Sequence, residues 1–572
     1  MSVAGARKGN EAEGATLPSL GTEIDLPANN SRASDPANHA ASEIDDLTDA
    51  PFASSSLDKV ALVLLSVQHF SNSWISRSSE FAFPLFFIHL YTNTLLPSSL
   101  YGFLTTAIAI VFSGSMGSIV DRFRTRKLDC VRAFVVAQKL AAMISYGLFC
   151  LLFYVENLQS DAKNDGRGQD GGARNANVWS LLAAIVIAGC PLILSNVGVS
   201  VAVERDWVTT ISEGSQARLS RLNAIMRRID LLTKLLAPLF VSLLTSTAGY
   251  PTSCVILLGM SGASAGFELI WIGTVYHRFG ALKADEDRLI GEQHEAIELS
   301  SPAPIEAVGS ETQAAASSRL PKESRTRMSS SQRKLYVWAK SQALDWRTFA
   351  IMPIFTSSIT IALLYMSALS FDPQFIAYLK SETTYSDAFV AGMRSICVFT
   401  GLMGTFYAPF SHRKIGLVRT GTWSLFMLLT PLVLTLIALY IGVGPGKYRP
   451  AWNTALLFSG LAISRIGLWS FDLTQLQLVQ TALSTHPRRN SLMALQFAMQ
   501  NAFDLGHYGL TIGWSRPSEF RNAAITSYAF LIVATILYIG VYARRERGHL
   551  IHLDRLGLEG LEHLLGGKRR HD

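Results

Sequence analysis

The sequence predicts an all-α membrane protein with twelve transmembrane helices in two six-helix lobes. Three observations carry this expectation. Of 572 residues, 49% are hydrophobic and only 16% charged, whereas soluble domains carry about 25% charged residues. The charges cluster between continuous apolar blocks of about 20–30 residues, each long enough to cross a bilayer as a helix. One polar stretch, 278–333, divides these blocks six and six. Strands of a membrane barrel would be short and alternating, and these blocks are neither.

The elements follow in order. Residues 1–56 are rich in Ser, Ala, Asn and Asp and hold no apolar run. They are expected to be a disordered tail and not a cleavable signal peptide. An N-lobe, 57–277, should hold blocks near 60–92, 95–119, 128–155, 178–203, 217–247 and 252–276. The first is interrupted by SNSWISRSSEFAFPLFF (71–87), where the serines and Pro84 should weaken the helix locally. The stretch 278–333 has few large apolar side chains and reads as a disordered cytosolic linker. Basic and aromatic residues mix in SQRKLYVWAKSQALDW (331–346), a pattern for a helix lying along the inner membrane face. It opens a C-lobe, 334–545, with blocks near 348–380, 386–411, 418–443, 452–482, 490–514 and 522–543; residues 546–572 form a last tail.

Positive charge sets the orientation. Arg122, Arg124, Arg126 and Lys127 follow the second block, Arg413, Lys414 and Arg419 the eighth, Arg488 and Arg489 the tenth, Arg544 and Arg545 the twelfth. All are even-numbered exits, so both termini are expected in the cytosol. The net charge of +7 reflects this bias and gives no reason to invoke nucleic acid. The five cysteines show neither a disulfide framework nor zinc-finger spacing. There is no P-loop, nucleophile elbow or HExxH motif, so an enzyme is not expected.

Ionisable residues inside the blocks point to function, because each costs about 2.5–3.5 kcal/mol at mid-bilayer on insertion scales. Asp504 and His507 are one helical turn apart and share a face. Carboxylate and imidazole suit a divalent first-row metal, and the same pair could relay protons. Asp372-Pro373 falls inside the seventh block, where proline should break the helix and bare carbonyls beside an acid. In the first block Ser76 and Glu80 share a face; the plainer reading of Glu80 is an ion pair with Arg77 or Arg228. In the fifth, Asn223 and Asp230 lie two turns apart, with polar packing and an Arg227–Asp230 pair as the structural alternatives.

Two six-span halves joined by a cytosolic linker is the major facilitator arrangement, with substrate bound near the midplane between halves. GSMGSIVDRFRTRK (114–127) resembles that superfamily's signature, with a weaker echo in SHRKIGLVRTG (411–421). Gly117 would allow close helix contact. Asp121 with Arg122, and Arg413 with neighbouring acids, would lock the inward gate. The plainer reading of 121–127 is a positive-inside loop.

Longer segments resemble the ferroportins, the cellular iron exporters: WISRSSEFAFPLFFIHLYTNTLL (74–96), VERDW (203–207), NAIMRRIDLLTKLLAP (223–238), LLYMSALSFD (363–372), GLVRTG (416–421) and SRIGLWSFDLTQLQLVQ (464–480). The resemblance implies an exporter of Fe(II), and of other divalent metals, by alternating access, with metal as substrate and no cofactor. It also implies coupling to protons, a metal site in each lobe, and a plasma-membrane or vacuolar location. The C-lobe site falls on Asp372, Asp504 and His507. The N-lobe set falls on Ser76, Glu80, Gln138, Asn223 and Asp230, with Ser76 and Glu80 standing where animal members carry aspartate and histidine. Pro373 stands where animal members carry the cysteine that anchors the hormone hepcidin, so no hepcidin regulation is expected. A monomer is the facilitator default. The rival readings are a proton-coupled facilitator for an organic solute, and a membrane receptor or scaffold that does not transport.

Overall fold

The structure is a computed structural model describing residues 58–91, 96–164, 171–300, 330–370, 373–441, 449–514 and 519–547. Both expected tails, apart from the start of the second, lie outside those residues. The described residues are almost all helical. The first half comprises α1 (Lys59–Leu90), α2 (Leu96–Arg122), α3 (Lys127–Asn164), α4 (Gly171–Val199), α5 (Gln216–Ala248) and α6 (Tyr250–Arg278). The second comprises α8 (Ser330–Ile351), α9 (Ile354–Tyr365), α10 (Pro373–Glu382), α11 (Asp387–Ile415), α12 (Leu417–Tyr440), α13 (Ala451–Ala482), α14 (Arg489–Gly513) and α15 (Phe520–Ile536). Between them lies α7 (Gly280–Ser300).

Among the described residues, nine helices are long and apolar enough to cross a membrane, and α8 with α9 makes a tenth span bent by 98°. Helices α1 and α14 are long enough, at 32 and 25 residues, but carry many polar residues, among them the candidate site residues Ser76, Glu80, Asp504 and His507. Each half has its own apolar core. Phe83, Phe86 and Phe87 of α1 interlock with Tyr146 and Phe149 of α3. In the second half the core centres on Leu425, Leu457, Phe471 and Tyr538. The outer faces stay apolar, with Ile187 71% and Ile270 75% exposed, as a lipid-facing surface requires.

Three expectations are corrected. Helix α1 runs unbroken through Pro84 and the serines, because Phe83, Phe86 and Phe87 are clamped in the core and Ser79 bonds back to the Ile75 and Ser76 carbonyls. The stretch 278–333 begins as helix α7 and not as disordered chain. Asp285 on that helix accepts from Lys127 at 2.7 Å, and Tyr276 donates to Glu286. The seventh block is not one element: it bends at 351–354 and unwinds after Tyr365. The bend sets α8 nearly perpendicular to α9, and Trp338 of α8 donates to Ser115 at 2.9 Å while stacking on Phe112.

Helix α4 continues as a π-helix over Ser200–Trp207 and a last α turn, Val208–Ile211. The wider turn of a π segment commonly marks a functional position. Here it carries Arg205 and Asp206 into the interior and leaves Glu204 half-buried. Gly214, at φ 78°, and Gly249 and Gly416, at φ 79°, reverse the chain between helices in a conformation that favours glycine.

Candidate metal centre and the contacts between lobes

Asp504 and His507 lie on α14, one turn apart; His507 is 7% exposed and Asp504 half-buried. After Tyr365 the chain leaves the helix over 366–370. Its backbone groups find new partners: the Ala368 amide donates to Ser527 Oγ at 2.9 Å, and the Leu369 carbonyl accepts from Arg465. This break faces the Asp504–His507 turn, since a Cβ added at Gly506 would lie 3.4 Å from Met366 Cε. Asp372 lies outside the described residues, two positions beyond the last described residue of the break. Among the described residues, no group of three His, Cys, Asp or Glu side chains is placed to hold a metal ion.

The structure divides the N-lobe set among four places, three within the first half and, for Asn223, one at the contact between the halves. Asp230 accepts from His69 Nε2 and Ser73 Oγ, both at 3.0 Å, with Arg227 at 3.7 Å. Gln138 donates to Ser76 Oγ at 3.2 Å and to Asn196 Oδ1 at 2.5 Å. Glu80 pairs with Arg77 at 2.6 Å, its side chain 63% exposed. Beside these, Lys139 and Glu268 form a fully buried ion pair at 2.8 Å, to which Ser71 and Ser264 add hydroxyl donors.

The halves meet at the end that carries the basic loops. Arg489 of α14 donates to Asp206 Oδ1 from Nε at 3.0 Å and from its terminal nitrogen at 2.6 Å; Asn490 adds a third donor at 3.0 Å. Lys127 Nζ is 3.3 Å from the other Asp206 oxygen. Asp121 of α2 accepts the amides of Asn490 and Ser491 at 3.1 and 2.8 Å. A carboxylate there takes the orphan amides of the α14 N-terminus and complements its dipole. Gly117, one turn earlier, lies flat on the same backbone; a Cβ there would fall 2.3 Å from the Asn490 carbonyl oxygen. Further inward, Asn223 donates to Gln480 at 2.6 Å and Arg227 pairs with Asp472. Arg228 bonds Thr405 and lies 3.6 Å over the Phe406 ring. Outside the helical core, burial alone would raise the Asp285 carboxyl, but Lys127 and Arg288 hold it below the ordinary carboxylate range.

A family model described as Ferroportin1 (FPN1) matches residues 59–531. The chain belongs to the ferroportin family. Solute carrier family 40 member 2 of Arabidopsis thaliana is 29% identical, the match covering 88% of this chain and 93% of that protein. Human ferroportin is 24% identical over 84% of this chain and 90% of its own. Among solved structures, a bacterial homologue of the iron transporter ferroportin in an outward-facing state superposes with TM-score 0.63 at 18% identity, covering 85% of this chain and 100% of the other. The fold is therefore that of the facilitator-type ferroportins, a multi-pass membrane protein.

In this ferroportin-family chain the structure brings together Ser76 with Gln138, and sets Asp504 and His507 against the unwound segment. It does not bring Asn223 or Glu80 to Asp230. Arg122 and Arg413 are exposed and make no ion pair among the described residues. In their place Arg489, Lys127 and Arg227 carry the charge pairs, and His412 bonds Ser220 at 2.8 Å and Thr474 at 2.9 Å. Sequence reasoning missed His69, Asn196, Lys139, Glu268 and Asp472. The stripe Gln68, His69, Asn72, Ser73 and Ser76 follows helical spacing and would have flagged His69. Asp472 sits mid-block and was open to the same cost argument as Asp504.

Proposed function

We propose that this chain exports Fe(II), and other divalent metals, from the cytosol by alternating access, with the metal as substrate and no resident cofactor. The observation that carries the reading is the unwound segment lying against the Asp504–His507 turn. Asp372 follows this segment two residues on in the chain, so two carboxylates and an imidazole would converge on one ion. Hard oxygen and borderline nitrogen donors without thiolate suit Fe(II), Mn(II) or Co(II). In the first half, Asp230 is already engaged by His69 and Ser73, and Ser76 and Gln138 by Asn196, so the C-lobe is the main site. Metal binds deprotonated ligands, so protonation of His507 competes with it and couples transport to pH.

The gate follows from the lobe contacts. Asp206 with Arg489 and Lys127, and Asp121 with the amides of α14, close the path at the end carrying the basic loops. By the excess of Lys and Arg there, that end and both termini face the cytosol. Metal would enter when these pairs part. The protein works as a monomer in the plasma or vacuolar membrane. Pro373 supplies no thiol, so hepcidin does not regulate it.

The test is uptake of radiolabelled Fe(II) into proteoliposomes, with Mn(II) and Co(II) as competitors, for wild type, Asp504→Asn and His507→Ala. Saturable flux in wild type that both variants lose supports the reading. Full flux in both folded variants would remove the C-lobe site. Absence of flux in folded wild type would overturn metal export itself.

A further inference from the structure

A groove of about 540 Å3 runs between α3 and α6, lined by Arg132, Ile270, Gly273, Thr274, His277 and Arg278. It is on the outer surface of the bundle, away from the lobe contacts. Arg132 lies five residues into α3, about 7 Å along its axis at 1.5 Å per residue. The α6 residues form that helix's last two turns. Both therefore sit at headgroup depth, at the end that carries Arg122, Arg124 and Arg126.

The lining has two characters. Ile270, 75% exposed, faces outward among apolar neighbours. Arg132 is half-buried and makes no hydrogen bond or ion pair with any described residue, although a guanidinium offers five donors. It lies against Gly273, where an added Cβ would come within 2.8 Å of its terminal nitrogen. The glycine thus makes the floor on which the guanidinium rests. His277 and Arg278 are exposed on the same rim. Two carboxylates lie nearby, Asp58 in space beside Arg278 and Asp129 three residues before Arg132 in sequence. Asp58 pairs with Arg278 at 2.7 Å, and Asp129, exposed in the first turn of α3, pairs with neither arginine.

We propose that this groove binds an anionic phospholipid of the cytosolic leaflet. The phosphate would take Arg132 and Arg278, with the acyl chain along Ile270. Basic pockets between helices at this level suit lipid phosphates, and a planar guanidinium takes two phosphate oxygens at once. The continuity of the rim with a lipid-facing side chain favours a lipid over a free anion. The proposal rests on the orientation given above and not on metal transport, so an absence of iron flux leaves it standing.

The test uses the full chain in detergent, titrated with dioleoylphosphatidylserine, dioleoylphosphatidylcholine or inorganic phosphate, with bound lipid counted by native mass spectrometry. Phosphatidylserine should bind in one-to-one stoichiometry and at least about ten-fold more tightly than phosphatidylcholine, at roughly a factor of five per arginine near the surface. Arg132→Gln should abolish that preference. Thr274→Glu, at an exposed position, places a carboxylate in the groove and should do the same should Arg132→Gln fail to fold. Arg126→Gln, in the basic loop outside the groove, should keep the preference. Equal loss in Arg126→Gln would mean diffuse surface charge. An unchanged preference in Thr274→Glu, or inorganic phosphate competing at equal concentration, would overturn the lipid site.

Discussion

Alanine at Gly117 should part the contact between the halves beside the basic loops without touching an ion pair. The added Cβ would stand 2.3 Å from the Asn490 carbonyl oxygen and 2.7 Å from Ser491 Cα, where ordinary contact begins at 3.4 Å. Both obstacles are backbone, so neither can rotate away, and α2 must withdraw from α14 by about 1 Å. Asp121 rides on the same helix four residues later. Its bonds to the Asn490 and Ser491 amides, now 3.1 and 2.8 Å, would stretch beyond hydrogen-bonding range. Two bonds to a charged acceptor contribute about 1.5–3 kcal/mol each. Losing both destabilises the closed arrangement by at least about 3 kcal/mol, a shift on the order of a hundred-fold in population. The assay is double electron–electron resonance between spin labels at Arg126→Cys and Thr485→Cys, both exposed, with the five native cysteines replaced. Gly117→Ala should add a second, longer distance that the parent lacks. Gly147→Ala, with nothing within 4 Å of the added carbon, should add none. Indistinguishable distributions for Gly117→Ala and the parent would refute the reasoning.

Three further outcomes are expected. Arg489→Met leaves buried Asp206 with Lys127 and Asn490 only, and removing one partner of a buried pair typically costs about 3–5 kcal/mol. The same pair of labels should report an opened inner end, and Asp206→Asn with Arg489→Met together should open it less than Arg489→Met alone. Lys139→Met strands Glu268 in the interior of the first half. It should lower the melting temperature in detergent more than the double variant Lys139→Met, Glu268→Gln does; equal losses would make the pair dispensable. His486 accepts the Arg488 amide through Nδ1 at 3.1 Å, which requires a neutral ring, and burial with the Arg488 charge keeps its pKa below the ordinary value. The unfolded chain, titrating near 6.5, then binds protons first on acidification. The stability this bond contributes is complete above about pH 6.5 and falls as pH drops toward the folded pKa. The melting-temperature advantage of wild type over His486→Gln should therefore shrink between pH 7.5 and 5; a constant difference would contradict it.

The helices were legible because their causes are local; that the seventh block is interrupted was legible too, but not where, since the helix already ends at Tyr365 and Pro373 opens the next one. Apolar length dictates a span, and proline removes a backbone donor wherever it stands. The Asp504–His507 turn was legible for the same reason, as one turn of one helix. The straight passage of α1 through Pro84 was not, because packing of Phe83, Phe86 and Phe87 against α3 outweighs the local weakness. The partners of the carboxylates at the contact between the halves were not legible either: Asp121 suggested its neighbour Arg122, and takes amides 369 and 370 residues away.

By itself, then, the chain determined that this is a many-helix membrane protein with acids and a histidine at costly depth, since burial cost and helical spacing are properties of a segment alone. Only the tertiary structure decided which charges meet. A buried carboxylate is satisfied by whichever donor the packing of other helices delivers. For Asp206 that is Arg489, for Asp230 it is His69, and for Glu268 it is Lys139, each brought from a different helix by the fold.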